Sequence, residues 1–342
     1  MADSVYIGPF LLGTLIGQGG MGEVWEATHT ARAVTVAVKV MTGAGARDPA
    51  WAARFREEVR AAAALHHPGI VVVFDYGSID GAAERASEGR LVQGSPYLAM
   101  EYLRGGTLAE WPDQVGWRRT RKVMFALLDA LAHAHARDIL HRDLKPSNVV
   151  IAGASDGGHG IKLTDFGIAQ RMERRTDEGV TEQLSGTIRY MSPEQLRGTW
   201  REYGPWTDLY SLGCLAHRLL SGRPPFDDDA YGGVMLGHLT RRPPSLADLV
   251  PPEVEAWIAR LLEKQPADRF RRAADAAWAL AQLPEGDEYP VDVDLDVASV
   301  DAEGQPTLHV MWERATSLPV RVVELSDALD GRPKGRERPS VV

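Results

Sequence analysis

The sequence predicts an α+β fold in two unlike parts, β-rich over residues 10–104 and mainly helical over 105–283. Three observations lead there. Before Gly105-Gly106 the apolar residues fall mostly in short β-branched or alternating runs, the period of strands. After that pair they fall mostly at helical spacing. Within the second part, Val149-Val150-Ile151 and Ile161-Lys162-Leu163-Thr164 flank a glycine-rich turn, Gly153 to Gly160, and read as an isolated hairpin.

A chain of 342 residues, 44% hydrophobic and 25% charged, has ample material for a core. Its formal net charge of -9 argues against a broad nucleic-acid footprint, so no nucleic-acid partner is expected. The single cysteine, Cys214, excludes an intramolecular disulfide framework, suits a reducing cytoplasm and sits among apolar neighbours as a packing thiol. The N-terminus lacks signal-peptide character, and the most apolar helical run, Val123 to Ala136, is broken by Asp129, His133 and His135. A cytoplasmic chain without a membrane span is the expectation.

Taken in order, Phe10 to Ile16 reads as a strand, followed by Gly17-Gln18-Gly19-Gly20-Met21-Gly22. That spacing also serves dinucleotide-binding folds, but those open a helix there. Here strand-like runs follow instead, Glu23 to Ala27 and Ala33 to Val40. A glycine loop between two strands is a flap that lets backbone N–H groups approach phosphates. Lys39 on the third strand is placed to reach the same phosphates. A buried lysine there needs a carboxylate, and the helix starting at Asp48-Pro49 offers Glu57 and Glu58, of which only one can point at it. Ile70 to Tyr76 and Pro96 to Leu103 read as strands, Gly77 to Ser95 as a long surface loop or insertion, and Trp117 to Arg137 as a helix.

The hairpin brings its open ends together, Asn148 at one and Asp165 at the other. An amide oxygen and a carboxylate suit Mg²⁺, a hard cation often shared with phosphates. Asp143, five residues before Asn148, faces that site without joining it and can accept or orient a hydroxyl proton. Lys145 can neutralise charge on a transferred group. Ile168 to Gly186 is polar and reads as a mobile loop; Trp206 to Leu220 is a strongly apolar helix, with further helices to Gln282.

In this order the residues resemble the bacterial eukaryotic-like Ser/Thr protein kinase family over about Phe10 to Leu283. The glycine loop runs into Val24, Val36-Ala37-Val38-Lys39 resembles the lysine strand, His141 to Asn148 the HRDLKxxN loop, Asp165-Phe166-Gly167 the DFG motif, and Ser192-Pro193-Glu194 the APE motif. The resemblance implies a two-lobed protein kinase fold, with an N-lobe over 10–104 and a C-lobe over 105–283. It places Ile16, Gly17, Gly19, Gly22, Val24, Ala37 and Val150 around ATP, and Lys39 on its phosphates with Glu58 as its partner. Met100 becomes the gatekeeper, Glu101 to Leu103 the adenine-reading hinge, and Glu110 the residue meeting the ribose. Asn148 and Asp165 hold Mg²⁺ (or Mn²⁺), while Asp143 and Lys145 are catalytic. Asp208 ties down the catalytic loop, and Arg269 pairs with Glu194. Arg142 implies activation by phosphorylation, with Thr176, Thr181 and Ser185 as candidate sites; Thr187 is expected to contact substrate and Asp143. Protein substrates are implied, and a dimer for phosphorylation in trans. A catalytically weak scaffold and a small-molecule phosphotransferase are the rival readings.

Residues 284–342 read as a linker and an extension of unassigned role. Val291 to Val297 alternates apolar and acidic residues like a strand. Asp292, Asp294, Asp296 and Glu303 have EF-hand spacing, but Val297 stands where that loop needs glycine, so calcium is not expected.

Overall fold

The β-branched runs of the first part form an antiparallel sheet in the computed structural model, which describes residues 4–19, 22–41, 49–152, 160–166 and 187–285. Its strands are β1 (Tyr6–Ile7), β2 (Phe10–Gly19), β3 (Gly22–His29), β4 (Val34–Met41), β5 (Val73–Ser78) and β6 (Pro96–Glu101), in spatial order β1-β2-β3-β4-β6-β5. The glycine segment interrupts two paired strands, β2 and β3, as a flap requires, with Gly19 facing Gly22. β4 is central, and its register puts Lys39 between Val24 on β3 and Leu98 on β6.

A strand has two faces, and this sheet buries both. On one, Ala37, Met41, Leu98, Met100 and Leu103 pack with Phe55 and Val59 of α1 (Pro49–Ala63). On the other, Phe10, Val36, Val38 and Val40 pack with Ile79, Ala83 and Leu91. These last three lie in the segment read as a surface loop. That reading is corrected: Gly77 to Ser95 contains the helix α2 (Gly81–Ala86), whose N-terminus is capped by Asp80 accepting from the Ala82 and Ala83 N–H groups. Small and polar residues hid it, because an N-cap and three well-placed apolar side chains suffice for so short an element.

The chain crosses between the lobes along Tyr102–Thr107. Gly105 N–H donates to the Ile151 carbonyl at 3.1 Å, and a Cβ on Gly105 would stand 2.4 Å from that oxygen, so the approach requires glycine. Ile151 belongs to the hairpin of β7 (Val149–Ala152) and β8 (Gly160–Leu163), found in the register expected from sequence, Val149 opposite Leu163. β8 is also tied to the first lobe: Leu163 N–H donates to Gly69 and Val71 N–H to Leu163.

The second lobe is helical: α3 (Trp117–His135), α4 (Pro193–Arg197), α5 (Pro205–Ser221), α6 (Tyr231–Thr240), α7 (Pro252–Leu261) and α8 (Ala273–Ala281). α5 is buried on nearly every side, which explains its apolar sequence, and Cys214 lies within it as a packing thiol. Two long-range ties close the lobe. Glu194 and Arg269, both fully buried, form a two-pronged pair at 2.9 and 3.0 Å. The guanidinium also donates to the carbonyls of Glu263, Trp206 and Lys264, so the pair's hydrogen-bonding capacity is well used, as burial demands. The Trp117 indole N–H donates to the Pro284 carbonyl at 2.7 Å, holding the end of the helical lobe on α3. Arg121 on α3 lies half-buried over the Phe125 ring with Glu285 at 3.6 Å. Among the described residues no helix is long and apolar enough to cross a membrane.

The expected mobile loop with Thr176, Thr181 and Ser185, and the strand-like runs after residue 285, lie outside the described residues. Within them, Leu91→Ala is expected to cost about 2–5 kcal/mol in denaturant unfolding, because the insert contributes to a core rather than decorating it.

Candidate active site

The loop from His141 to Asn148 is shaped by a carboxylate 60-odd residues downstream. Asp208 is fully buried in the first turns of α5 and accepts from the backbone N–H groups of His141 at 2.8 Å and Arg142 at 2.7 Å. His135, at the end of α3, lies 2.8 Å from the same carboxylate. Burial pushes the Asp208 carboxyl up, but the hydrogen bond and proximity of His135 lead the contacts that outweigh it and hold it below the ordinary value. The turn it stabilises is strained: Arg142 has φ 64, in the left-handed region, at a cost of about 1–2 kcal/mol. Gln195, from the capping box that Ser192 makes at the start of α4, donates to the Arg142 carbonyl at 2.7 Å.

His141 is completely buried and links this loop to Asp165. Its Nδ1 accepts from the Asp143 N–H at 3.3 Å, so Nε2 carries the proton donated to the Thr164 carbonyl at 2.9 Å. Burial lowers its pKa, in keeping with a neutral ring. Phe166 lies against that ring, centroids 4.6 Å apart. Asp165 follows with φ 61, and Thr164 N–H donates to the Asn148 carbonyl at 3.0 Å, so the hairpin's open ends meet.

Two carboxylates result, each with one oxygen engaged. Asp143 Oδ2 accepts from Lys145 Nζ and Asn148 Nδ2, both at 2.9 Å; its Oδ1 is buried and accepts no hydrogen bond among the described residues. Asp165 Oδ2 pairs with Lys39 Nζ at 2.8 Å; its Oδ1 is likewise buried and unpartnered. Burial pushes the Asp165 carboxyl up, but Lys39, with Lys145 and His141, outweighs that and keeps it low. Asn148 spends its nitrogen on Asp143, which leaves its amide oxygen for a cation. With Asp165 Oδ1 this fits a divalent ion that takes its remaining ligands from phosphate and water. Among the described residues no group of three His, Cys, Asp or Glu side chains could hold a metal unaided.

Residues 10–278 match the protein kinase domain family. The chain belongs to the protein kinase family. Among its curated relatives, a probable serine/threonine-protein kinase of Streptomyces coelicolor, SCO3848, is 38% identical over 78% of this chain. The serine/threonine-protein kinase PknA of Mycobacterium tuberculosis is 36% identical over 83%. The chain spans only 38% and 63% of the lengths of those two proteins. The crystal structure of the Mycobacterium tuberculosis PknI kinase domain is similar at 28% identity and TM-score 0.61, covering 82% of this chain and 98% of that one.

Within this protein kinase domain, Val24, Ala37, Leu103 and Val150 pack in one cluster with Met100 between the lobes, while Ile16 stands outside it, 42% exposed. Gly17, Gly19 and Gly22 flank the flap's turn. Glu101 ends β6 with its carboxylate on Lys162, at 2.7 and 2.9 Å. One expectation needs correction, and two more residues take local partners. Among the described residues Lys39 pairs with Asp165 and not with Glu58, which has other interactions. Both carboxylates compete for one ammonium, and spacing along α1 does not decide the winner. Glu110 closes a capping box on Thr107, accepting from its N–H and hydroxyl at 3.0 Å, so its carboxylate is engaged locally. Thr187 meets Lys145, whose Nζ donates to its hydroxyl and to Asp143, both at 2.9 Å. Thr176, Thr181, Ser185 and Gly167 lie outside the described residues.

His135 and Gln195 were not singled out from sequence. His135 gives no local signal, whereas Ser192-x-x-Gln195 is a recognisable capping box. Asp208→Asn is expected to lower stability by about 1.5–3 kcal/mol at pH 7. Because the folded carboxyl titrates below its ordinary value of 3.8, the wild-type advantage is present above that pH and fades as pH falls through the folded value. Denaturant unfolding of both proteins across acidic pH should show the gap closing.

Proposed function

We propose that the chain is a bacterial-type, ATP-dependent protein Ser/Thr kinase, transferring the γ-phosphoryl group of ATP to hydroxyls of protein substrates. The observation that carries this reading is the division of labour at Asp143. One oxygen is committed to Lys145 and Asn148, and the other is buried and open beside the Lys39–Asp165 pair.

In this reading Asp143 Oδ1 orients the substrate hydroxyl and receives its proton as the new O–P bond forms and the bond to the bridging oxygen of ADP breaks. Lys145 sits 2.9 Å from Asp143, where its charge offsets that developing on the transferred group. Lys39 exchanges its Asp165 partner for the ATP phosphates. Asn148 and Asp165 would hold Mg²⁺, or Mn²⁺ in its place, which would supply neutralisation of the phosphate charge. The base is held between Ala37, Val24 and Val150, with the backbone of Glu101 to Leu103 reading it. Thr187, on Lys145, supports Ser/Thr rather than Tyr substrates. Arg142 is assigned to a phosphate added at Thr176, Thr181 or Ser185, delivered by a second copy in a transient dimer. ATP supply puts the reaction in the cytoplasm. Residues 10–283 form the kinase domain and 284–342 its extension.

Incubation with labelled ATP and Mg²⁺ tests this. Wild type is expected to label itself or a generic protein substrate on Ser or Thr, and phosphoamino-acid analysis reads which. Asp143→Asn should lower the rate by about a hundredfold to ten-thousandfold, and chelating the divalent ion should stop it. Equal labelling by wild type and Asp143→Asn would overturn the mechanism. Labelling of small molecules but no protein would favour a small-molecule phosphotransferase.

A further inference from the structure

The insert between β5 and β6 reaches the nucleotide flap through one side chain. Arg90 presents its guanidinium to Glu23, with Nε 3.2 Å from Oε2 and Nη2 3.2 Å from Oε1. It also lies over the Trp25 ring, 4.6 Å from the centroid. Glu23 is the residue after Gly22 and is 6% exposed; Gln18, opposite it on β2, adds a hydrogen bond at 3.4 Å. Glu23 and Trp25 are two residues apart and so share a face of β3. Val24, between them, points to the other face and packs with the cleft residues Ala37, Met100 and Val150. Arg90 thus grips the strand from behind the surface that would carry the nucleotide.

Its backbone is held on both sides. Ser87 caps the end of α2, Glu88 and Gly89 turn the chain with φ 53 and 80, and Gly89 N–H returns to the Glu84 carbonyl at 2.9 Å. The Arg90 N–H bonds the Ser87 carbonyl, the Leu91 N–H bonds the Ser87 hydroxyl, and Leu91 is buried in the core. The backbone is thus ordered before the half-exposed guanidinium meets a carboxylate whose planar fork it matches.

We propose that Arg90 is a positioning residue that braces the β2–β3 flap over ATP through Glu23 and Trp25. This rests on the kinase reading. Because the brace acts on the flap and touches neither the hydroxyl nor Asp143, its loss should weaken nucleotide binding and spare the chemical step. The full chain and its Arg90→Ala, Arg90→Lys, Glu23→Gln and Arg90→Ala/Glu23→Gln variants are compared by MgADP titration and by steady-state kinetics in ATP. Arg90→Ala is expected to raise the Kd for MgADP and the KM for ATP about three- to tenfold, with kcat changed less than about twofold at a temperature where both proteins are folded. Lysine should restore only part of the affinity, since an ammonium lacks the two-pronged fork. The double variant should be no worse than the poorer single one. Unchanged affinity in Arg90→Ala, or additive losses in the double variant, would overturn the brace. Wild type that binds MgADP yet phosphorylates nothing counts against the kinase reading alone, since the brace is read from binding; wild type with no nucleotide affinity overturns both.

Discussion

Asp208 sits where no water reaches, and the backbone N–H groups of His141 and Arg142 converge on its carboxylate. The left-handed turn at Arg142 depends on that convergence. Charge-assisted hydrogen bonds are each worth about 1.5–3 kcal/mol net, enough to offset the strain of one non-glycine residue at positive φ. From that turn the rest follows. It sets the direction of Asp143, whose N–H fixes the tautomer of His141, whose opposite nitrogen holds Thr164 next to Asp165. A buried carboxylate on the central helix of one lobe thus sets the geometry of both Asp143 and Asp165.

The two lobes meet through backbone pairing as well as through side chains packed between them. β8 pairs with Gly69–Val71 of the first lobe, and β7 pairs with Gly105-Gly106 at the crossing. Such ladders constrain position along the strands but leave the lobes joined by few segments. Lys39 on β4 spans this junction to reach Asp165 at 2.8 Å, so an electrostatic contact crosses it beside the apolar one. The outer face of the same sheet is covered by an insert that is itself capped, turned and anchored by Leu91. The cleft-facing and outward-facing sides of β3 are therefore separately built.

Much of this was legible from spacing. A hairpin has one geometry, so Asn148 and Asp165 had to meet once Val149–Ala152 was paired with Gly160–Leu163. A glycine loop between two strands had to be a flap. The insert was less legible, because α2 draws its stability from Asp80 and from burial of Ile79, Ala83 and Leu91 against a sheet formed elsewhere. Short elements of small residues take their structure from what they pack on.

The sequence by itself determined the fold class, the family resemblance and the identity of the polar groups near the reaction centre. Those depend on local period and on motif order, which are properties of the chain read one residue after another. Only the tertiary structure decided which partner each group takes. Lys39 faces both Glu58 and Asp165 in principle, and the structure gives it to Asp165. Glu110 is drawn to the Thr107 backbone three residues away, and Arg90 to Glu23 across 67 residues. Pairing of charges is a competition among distances that fall off steeply in a low-dielectric interior, and distance between remote residues is not written in sequence order.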